Sequence, residues 1–371
     1  MRPRCSHQPL HSDSMKKLST FLLMVVMTCA TIQSTAQDVL WSIDFNTVLH
    51  NREGGDELRP DQTLFFVRLA PEIGLTLDHG RNSVMGGVAW YQPMHDNCSG
   101  YKVLPTVYYA YRGKNLKTDV GLFPRAHLHE RAPRYLWSDS LDYCQPNVRG
   151  AMLQYEHQRG GWMQAVLDWR QLQTKTKREA FNVLLSGAMP LAGPLWLKGH
   201  IYYNHLAKRK NIADEEGVND DATINPMLAL KLHPGNVSLW LETGAILQMQ
   251  RARVDEKWHT PAGFIASAKG QWRWLDVEET IFAGKDLFPL YDRFGPLLNL
   301  GDTYYRSKFY SRTDVRAHLV RKSFVDVSAV LTFHATDRIT GFWQQLSCRF
   351  FIDGTGRKAN PPAQQSLTPM F

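Results

Sequence analysis

The chain has 371 residues, among them 11 Trp, 14 Tyr and 17 Phe, and a formal charge of +8 at pH 7. That length holds one large barrel or two ordinary domains. The basic excess is too small to call for nucleic acid, and the slightly negative mean hydropathy fits equally a soluble fold and a barrel with polar residues in a lumen.

In chain order, the N-terminus comes first. Met15-Lys16-Lys17 is a short basic segment, LSTFLLMVVMTCAT an apolar one, and Ser34-Thr35-Ala36 a small-residue cleavage site before Gln37. This is the layout of a secretory signal peptide. Residues 1–14 do not fit it, so 1–36 reads as a signal peptide with a start-site over-extension. Removing four cations and one acid with that segment leaves a charge of +5. Beyond Ala36 no apolar run approaches the 18 or so residues of a membrane helix.

Next come segments of about ten residues in which apolar and polar side chains alternate, the period of a strand with two unlike faces. They cover 38–50, 63–77, 82–92, 101–111, 116–124, 148–157, 161–173, 179–191, 194–206, 222–232, 237–250, 262–274, 275–284, 311–320, 324–334 and 342–352. In the fifteenth, FVDVSAVLTFH, Val325, Val327, Ala329, Leu331 and Phe333 form one row, and Asp326, Ser328, Thr332 and His334 belong to the other.

Every second connection is tight: Asp78-His79-Gly80-Arg81, Arg112-Gly113-Lys114-Asn115, Gln158-Arg159-Gly160, Ala192-Gly193, His233-Pro234-Gly235-Asn236 and Arg321-Lys322-Ser323. These carry turn chemistry. The intervening connections are mostly longer, above all PRAHLHERAPRYLWSDSLDYCQPN and DLFPLYDRFGPLLNLGDTYYRSK. A soluble sandwich has no reason to sort its loops this way. A membrane barrel does, with short turns facing the periplasm and long loops facing outward. A ten-residue strand spans roughly 33 Å, and a tilt near 40° brings that to about the 25 Å apolar band of such barrels. The expectation is therefore all-β: an antiparallel transmembrane β-barrel of about 16 strands over 37–353, with 354–371 as a disordered periplasmic tail.

The signal peptide, strand pattern and loop alternation together resemble the outer-membrane β-barrel proteins of Gram-negative bacteria, and more loosely the porins among them. The resemblance covers about 38–352 and rests on no short motif. It implies an outer-membrane location, contact with outer-membrane lipid and passage through the barrel-assembly machinery. Such barrels usually end on an aromatic residue closing the last strand. Here Phe350 and Phe351 close the sixteenth, and GTGRKANPPAQQSLTPMF follows.

With the apolar rows facing lipid, the opposite rows face a lumen. Arg68, Glu72, Asp168, Arg170, Lys198, His200, Glu242, Asp276, Glu278, Arg312, Asp314, Arg316 and Asp326 then line it. One reading is a wall stiffened by cross-lumen ion pairs. The other is a constriction that selects solutes by charge, centred on Arg68, Asp168, Arg170, Arg312, Asp314 and Arg316. Glu279 falls on the lipid side. Trp90, Tyr91, Tyr109, Tyr111, Trp272 and Trp274 suit interfacial girdles. Cys98 and Cys144 sit in loop-like segments and form a candidate disulfide, the alternative being two unpaired cysteines; Cys348 lies on an apolar row.

No G-x-S-x-G, H-E-x-x-H, C-x-x-C pair, G-x-G-x-x-G or P-loop occurs. His127, His129 and Glu130 are the nearest approach to a metal cluster, and chance explains them in a solvated loop. Enzyme barrels are commonly smaller, whereas sixteen strands leave an aqueous channel unless plugged. The sequence thus points to a porin-like channel for small polar solutes, by passive diffusion with or without selectivity, without cofactor or metal, and not to an enzyme. The alternatives are a lipid-modifying barrel enzyme and a non-conducting adhesin or scaffold.

Overall fold

The computed structural model describes residues 38–54, 59–94, 100–211, 217–255 and 257–354. The signal segment, the tail beyond Gly354 and Cys98 lie outside the described residues. The strands are β1 Asp38–Glu53, β2 Gln62–Leu77, β3 Asn82–Pro93, β4 Lys102–Arg112, β5 Leu116–Pro124, β6 Asn147–Glu156, β7 Trp162–Gln171, β8 Ala180–Ala192 and β9 Leu195–Leu206. They continue as β10 Asn219–Leu232, β11 Val237–Ala252, β12 Trp258–His259, β13 Ala262–Trp272, β14 Leu275–Gly284, β15 Phe309–Arg321, β16 Val325–Thr336 and β17 Thr340–Asp353. The two-residue β12 is a flap on the end of β11. The other sixteen pair with their neighbours, all antiparallel, and β1 against β17 closes the ring, with Asp44 opposite Phe351 and Asn46 opposite Arg349.

The two faces of each strand meet different solvents. On β2, Ile73 is 63% exposed while Arg68, on the other row, is 5% exposed. On β16, Leu331 and Phe333 are exposed and Asp326, Ser328, Thr332 and His334 buried. Apolar side chains outside and polar ones inside is the inverse of a soluble core and the signature of a membrane barrel. The protein is an outer-membrane β-barrel. Trp90, Tyr109, Trp272 and Trp274 stand outward and exposed. Tyr91 instead turns in and packs on Phe66. Glu279 lies on the outer row as expected, where it accepts hydrogen bonds from the hydroxyls of Ser311 and Thr313 on β15, which lowers the cost of a carboxylate there.

Two features depart from expectation. The β16–β17 connection, on the long-loop end, is short: Thr336 Oγ1 accepts from the backbone N–H of Arg338 and Ile339. More consequentially, the interior is filled. Large apolar side chains point inward among the polar ones: Phe66, Tyr108, Phe123, Phe282, Tyr310 and Trp343 are at most 4% exposed. Partners for Tyr108, Phe123, Phe282, Tyr310 and Trp343 come from the two long loops, which bring Leu128, Tyr135, Leu136, Leu287, Phe288, Tyr304 and Tyr305 to the same cluster, while Phe66 packs with Val48 and the loop residue Tyr143.

Candidate functional site: the lumen and its plug

The β5–β6 loop does not stay at the long-loop end. From Pro124 it turns back down the inside of the wall. Arg125 Nη2 binds Asp168 Oδ2 at 2.5 Å and stacks over Trp137. His127 Nδ1 lies 2.8 Å from Asp119 Oδ2. The His129 backbone N–H donates to Gln164 Oε1, and its ring lies 4.3 Å from Trp162 and 3.5 Å from Glu156. Glu156 and Trp162 flank the turn between β6 and β7. A loop that begins at the outer end thus reaches the turn end.

The loop then crosses the lumen. Glu130 contacts Lys198 and His200 on β9 at 2.5 and 3.4 Å. The Tyr135 hydroxyl donates to Asn225 on β10. Arg134 reaches Glu278 on β14 and Asp314 on β15. The short helix Asp139–Cys144 follows, and Asp139 accepts from Arg312 at 2.8 Å. The Tyr143 hydroxyl donates to Gln345 on β17.

The β14–β15 loop packs alongside. The N–H of Ser138 donates to Leu300 O, and that of Asp302 to Arg134 O. Gly301 sits so close that a Cβ there would stand 2.2 Å from Tyr135 O. Asp302 pairs with Arg59 at 2.7 Å. The two loops form one plug, jointly anchored to the wall.

All the lumen-facing residues expected from the sequence point inward, and the structure brings them to different partners. Arg312 and Asp314 join each other and the plug at 2.7 and 2.8 Å. Arg68 pairs with Asp44, which Arg349 also holds, at 2.9 and 3.0 Å. Glu72 accepts from the Tyr108 hydroxyl. Arg170 donates to Asn204 and to Leu297 O, and Arg316 to Ser328. His318 lies between Asp276 and Asp326, at 2.9 and 2.7 Å. The six residues singled out for a constriction therefore do not gather in one ring. Cys144 is exposed at the end of the plug helix, and Cys348 is half-buried on the outer row.

Lys198, His200, Glu242 and Glu278 come together at a cavity of about 140 Å³ between loop residues 128–135 and the wall of β9, β10, β11, β13 and β14. Its charges alternate. Lys198 bridges Glu130 and Glu242 at 2.5 and 2.9 Å, and Lys269 stands 3.8 Å from Glu242 and 3.5 Å from Glu278. Burial opposes ionisation of Glu130, but Lys198 and His200 outweigh it and hold the carboxyl below its ordinary range. For Asp139 the same contest, burial against Arg312 and Arg134, ends well below the carboxylate range. Burial pushes the His129 imidazole down.

Sequence reasoning missed Glu130 and Lys269 as lumen groups, whereas Arg134 belongs to one of the two long aromatic and charged loops of the kind that folds inward and narrows a pore. Cations interleaved with aromatics in PRAHLHERAPRYLW were the available signal, since such a loop gains little in open water. The loop scatters His127, His129 and Glu130 onto three different wall partners, and no metal cluster occurs among the described residues.

The fold is shared with outer-membrane porins. OccK8 (OprE) of Pseudomonas aeruginosa superposes with a TM-score of 0.54 at 10% identity, over 86% of this chain and 100% of that one. OpdK of P. aeruginosa gives 0.51 at 8% identity over the same shares. A loop-deletion form of OmpT of Vibrio cholerae gives 0.51 at 11%, over 85% and 100%. No curated protein matches the chain. The family model for lipid A 3'-O-deacylase-type proteins matches residues 32–292. That is an enzyme family, and the match corrects the expectation from missing catalytic motifs that the chain is not an enzyme. A barrel enzyme takes its catalytic groups from different strands, which short sequence motifs do not report. The chain belongs to the lipid A 3'-O-deacylase-type family.

Proposed function

We propose that this barrel is a gated outer-membrane channel for small polar solutes, closed by the two-loop plug in the state described. The carrying observation is the charged cavity beneath the plug, set in a barrel of porin architecture and lined by Lys198, Glu242 and Glu278. In place of the open path expected of sixteen strands, conduction requires the plug to shift. Four of the charges expected at a constriction, Asp168, Arg170, Arg312 and Asp314, then serve as its docking groups. Arg134, which touches Asp139, Glu278 and Asp314 at 3.3–3.5 Å, ties the loop to the wall at its centre. In planar bilayers, wild-type protein should open rarely, and Arg134→Ala should open often and at higher conductance. Correctly folded wild type and Arg134→Ala that both stay silent would refute the channel.

Family membership favours a second reading, hydrolysis of an acyl ester of lipid A. The outer face offers a place for it. At the long-loop end, Tyr203, His205, Asp220, Arg251 and Arg253 form a connected polar group facing outward. Polar side chains on a lipid-facing surface are costly and mark functional sites. Mass spectrometry of lipid A after incubation with the folded protein decides this: loss of an acyl chain supports it, and intact lipid A rejects it.

A further inference from the structure

We infer that the cavity beneath the plug binds a small zwitterion, an α-amino acid with a short side chain, with its ammonium at Glu130 and its carboxylate at Lys269. The inference rests on the channel reading for its biological sense, and names the solute class of the same site.

Charge order around the cavity is the first ground. The lining runs Glu130, Lys198, Glu242, Lys269, Glu278, Arg134, each in contact with a neighbour of opposite sign. A purely anionic ligand entering this series meets Glu242 and Glu278. A purely cationic one meets Lys198 and Lys269. Either leaves a like-charge contact in a poorly hydrated space, where it costs most. A zwitterion continues the alternation.

Two members of the series are positioned to receive it. Glu130 has the most accessible side chain of the cavity carboxylates, 25% against 12% for Glu242 and 5% for Glu278. Lys269 is the more accessible lysine, 18% against 5% for Lys198, and its protein contacts are the longer ones. Lys198 already makes two short pairs, so it serves as the fixed centre rather than a ligand group. Ser267 donates to Glu242, which occupies that carboxylate further.

Size and the remaining lining narrow the class. A cavity of about 140 Å³ holds about six to eight non-hydrogen atoms, by comparison with engineered cavities that accept benzene. Met227, Ile265 and Leu128 supply an apolar patch, sufficient for a methyl or hydroxymethyl group. Alanine and serine satisfy all three conditions.

The test is isothermal titration of the full barrel, folded in detergent, with L-alanine, propionate, ethylamine and D-ribose. Alanine should bind saturably, and each of the others at least tenfold more weakly. Glu130→Gln and Lys269→Met should each weaken alanine at least tenfold, with heat-modifiable gel migration confirming the fold. Thr313→Ala, on the lipid face, should leave it unchanged. Equal binding of alanine and propionate, preference for ribose, or alanine binding untouched by both cavity variants would overturn the assignment. Because binding is read without conduction, its failure with bilayer openings intact sinks only the solute class. Silent bilayers with alanine binding intact sink only the channel.

Discussion

The two sides of the lumen pair their charges in different ways. Toward β15 to β17, Arg312 is clamped by Asp139 and Asp314 at 2.7–2.8 Å with all three side chains 2% exposed. Toward β9 to β14, Lys269 stands 3.5 and 3.8 Å from its carboxylates and is 18% exposed. One end is a sealed ion-pair lock; the other fixes Glu130 of the plug on Lys198 at 2.5 Å and leaves one loosely paired lysine beside a cavity. Inside one lumen, tightly paired charge fixes position and loosely paired charge leaves room for a ligand.

Breaking the sealed end should have the largest effect. Arg312→Ala leaves Asp139 and Asp314 buried without this partner, and loss of one member of such a set costs about 3–5 kcal/mol. Urea unfolding of the barrel should show that loss, together with greater protease access to the β5–β6 loop; unchanged stability would remove the distinction between the two ends. Next is Gly301→Ala. Its Cβ would overlap Tyr135 O at 2.2 Å, so the two loops must separate, at roughly 1–3 kcal/mol by the usual cost of overpacking. Protease access should again rise.

Lys269→Met should be mild, about 1 kcal/mol or less, since Glu242 keeps Lys198 and Glu278 keeps Arg134, and a partly exposed pair contributes little. A cost as large as that of Arg312→Ala would erase the contrast. The smallest effect concerns pH. Burial lowers the His129 pKa from its ordinary 6.5, so the unfolded chain binds that proton more readily than the folded one. Stability from this group is present above about pH 6.5 and declines as pH falls below it toward the lower folded value. Unfolding midpoints at pH 7.5 and 5.5 should differ less in His129→Gln than in wild type.

Much of the wall was legible in the sequence, because lipid imposes a simple rule. Leu331 and Phe333 must face out wherever Thr332 and His334 face in, and tight turns such as Asp78 to Arg81 fix which ends adjoin. The interior was less legible. Phe66 and Trp343 share the inward rows of Arg68 and Arg349, and what an apolar side chain does there depends on a loop distant in sequence that supplies its apolar partners. Glu130 looked like a solvated loop acid because nothing local to it announces Lys198. Strand period reports a residue's face; it cannot report what another part of the chain places against that face. The enzyme family was hidden for a related reason, since this chain carries none of the short motifs sought in it.

The lock between Asp139 and Arg312 joins residues 173 positions apart, and its second loop follows β14 in the chain. Neither half of the plug has its complete docking surface until β15 is in place. During assembly the barrel must therefore exist for a time as a nearly complete wall around an unsealed interior. Sealing is a late step that couples the β5–β6 loop to the last third of the chain, and long-range closure of that kind is slow. A variant that weakens the lock should lengthen this interval, so that assembly rate and stability trace back to the same pair of residues.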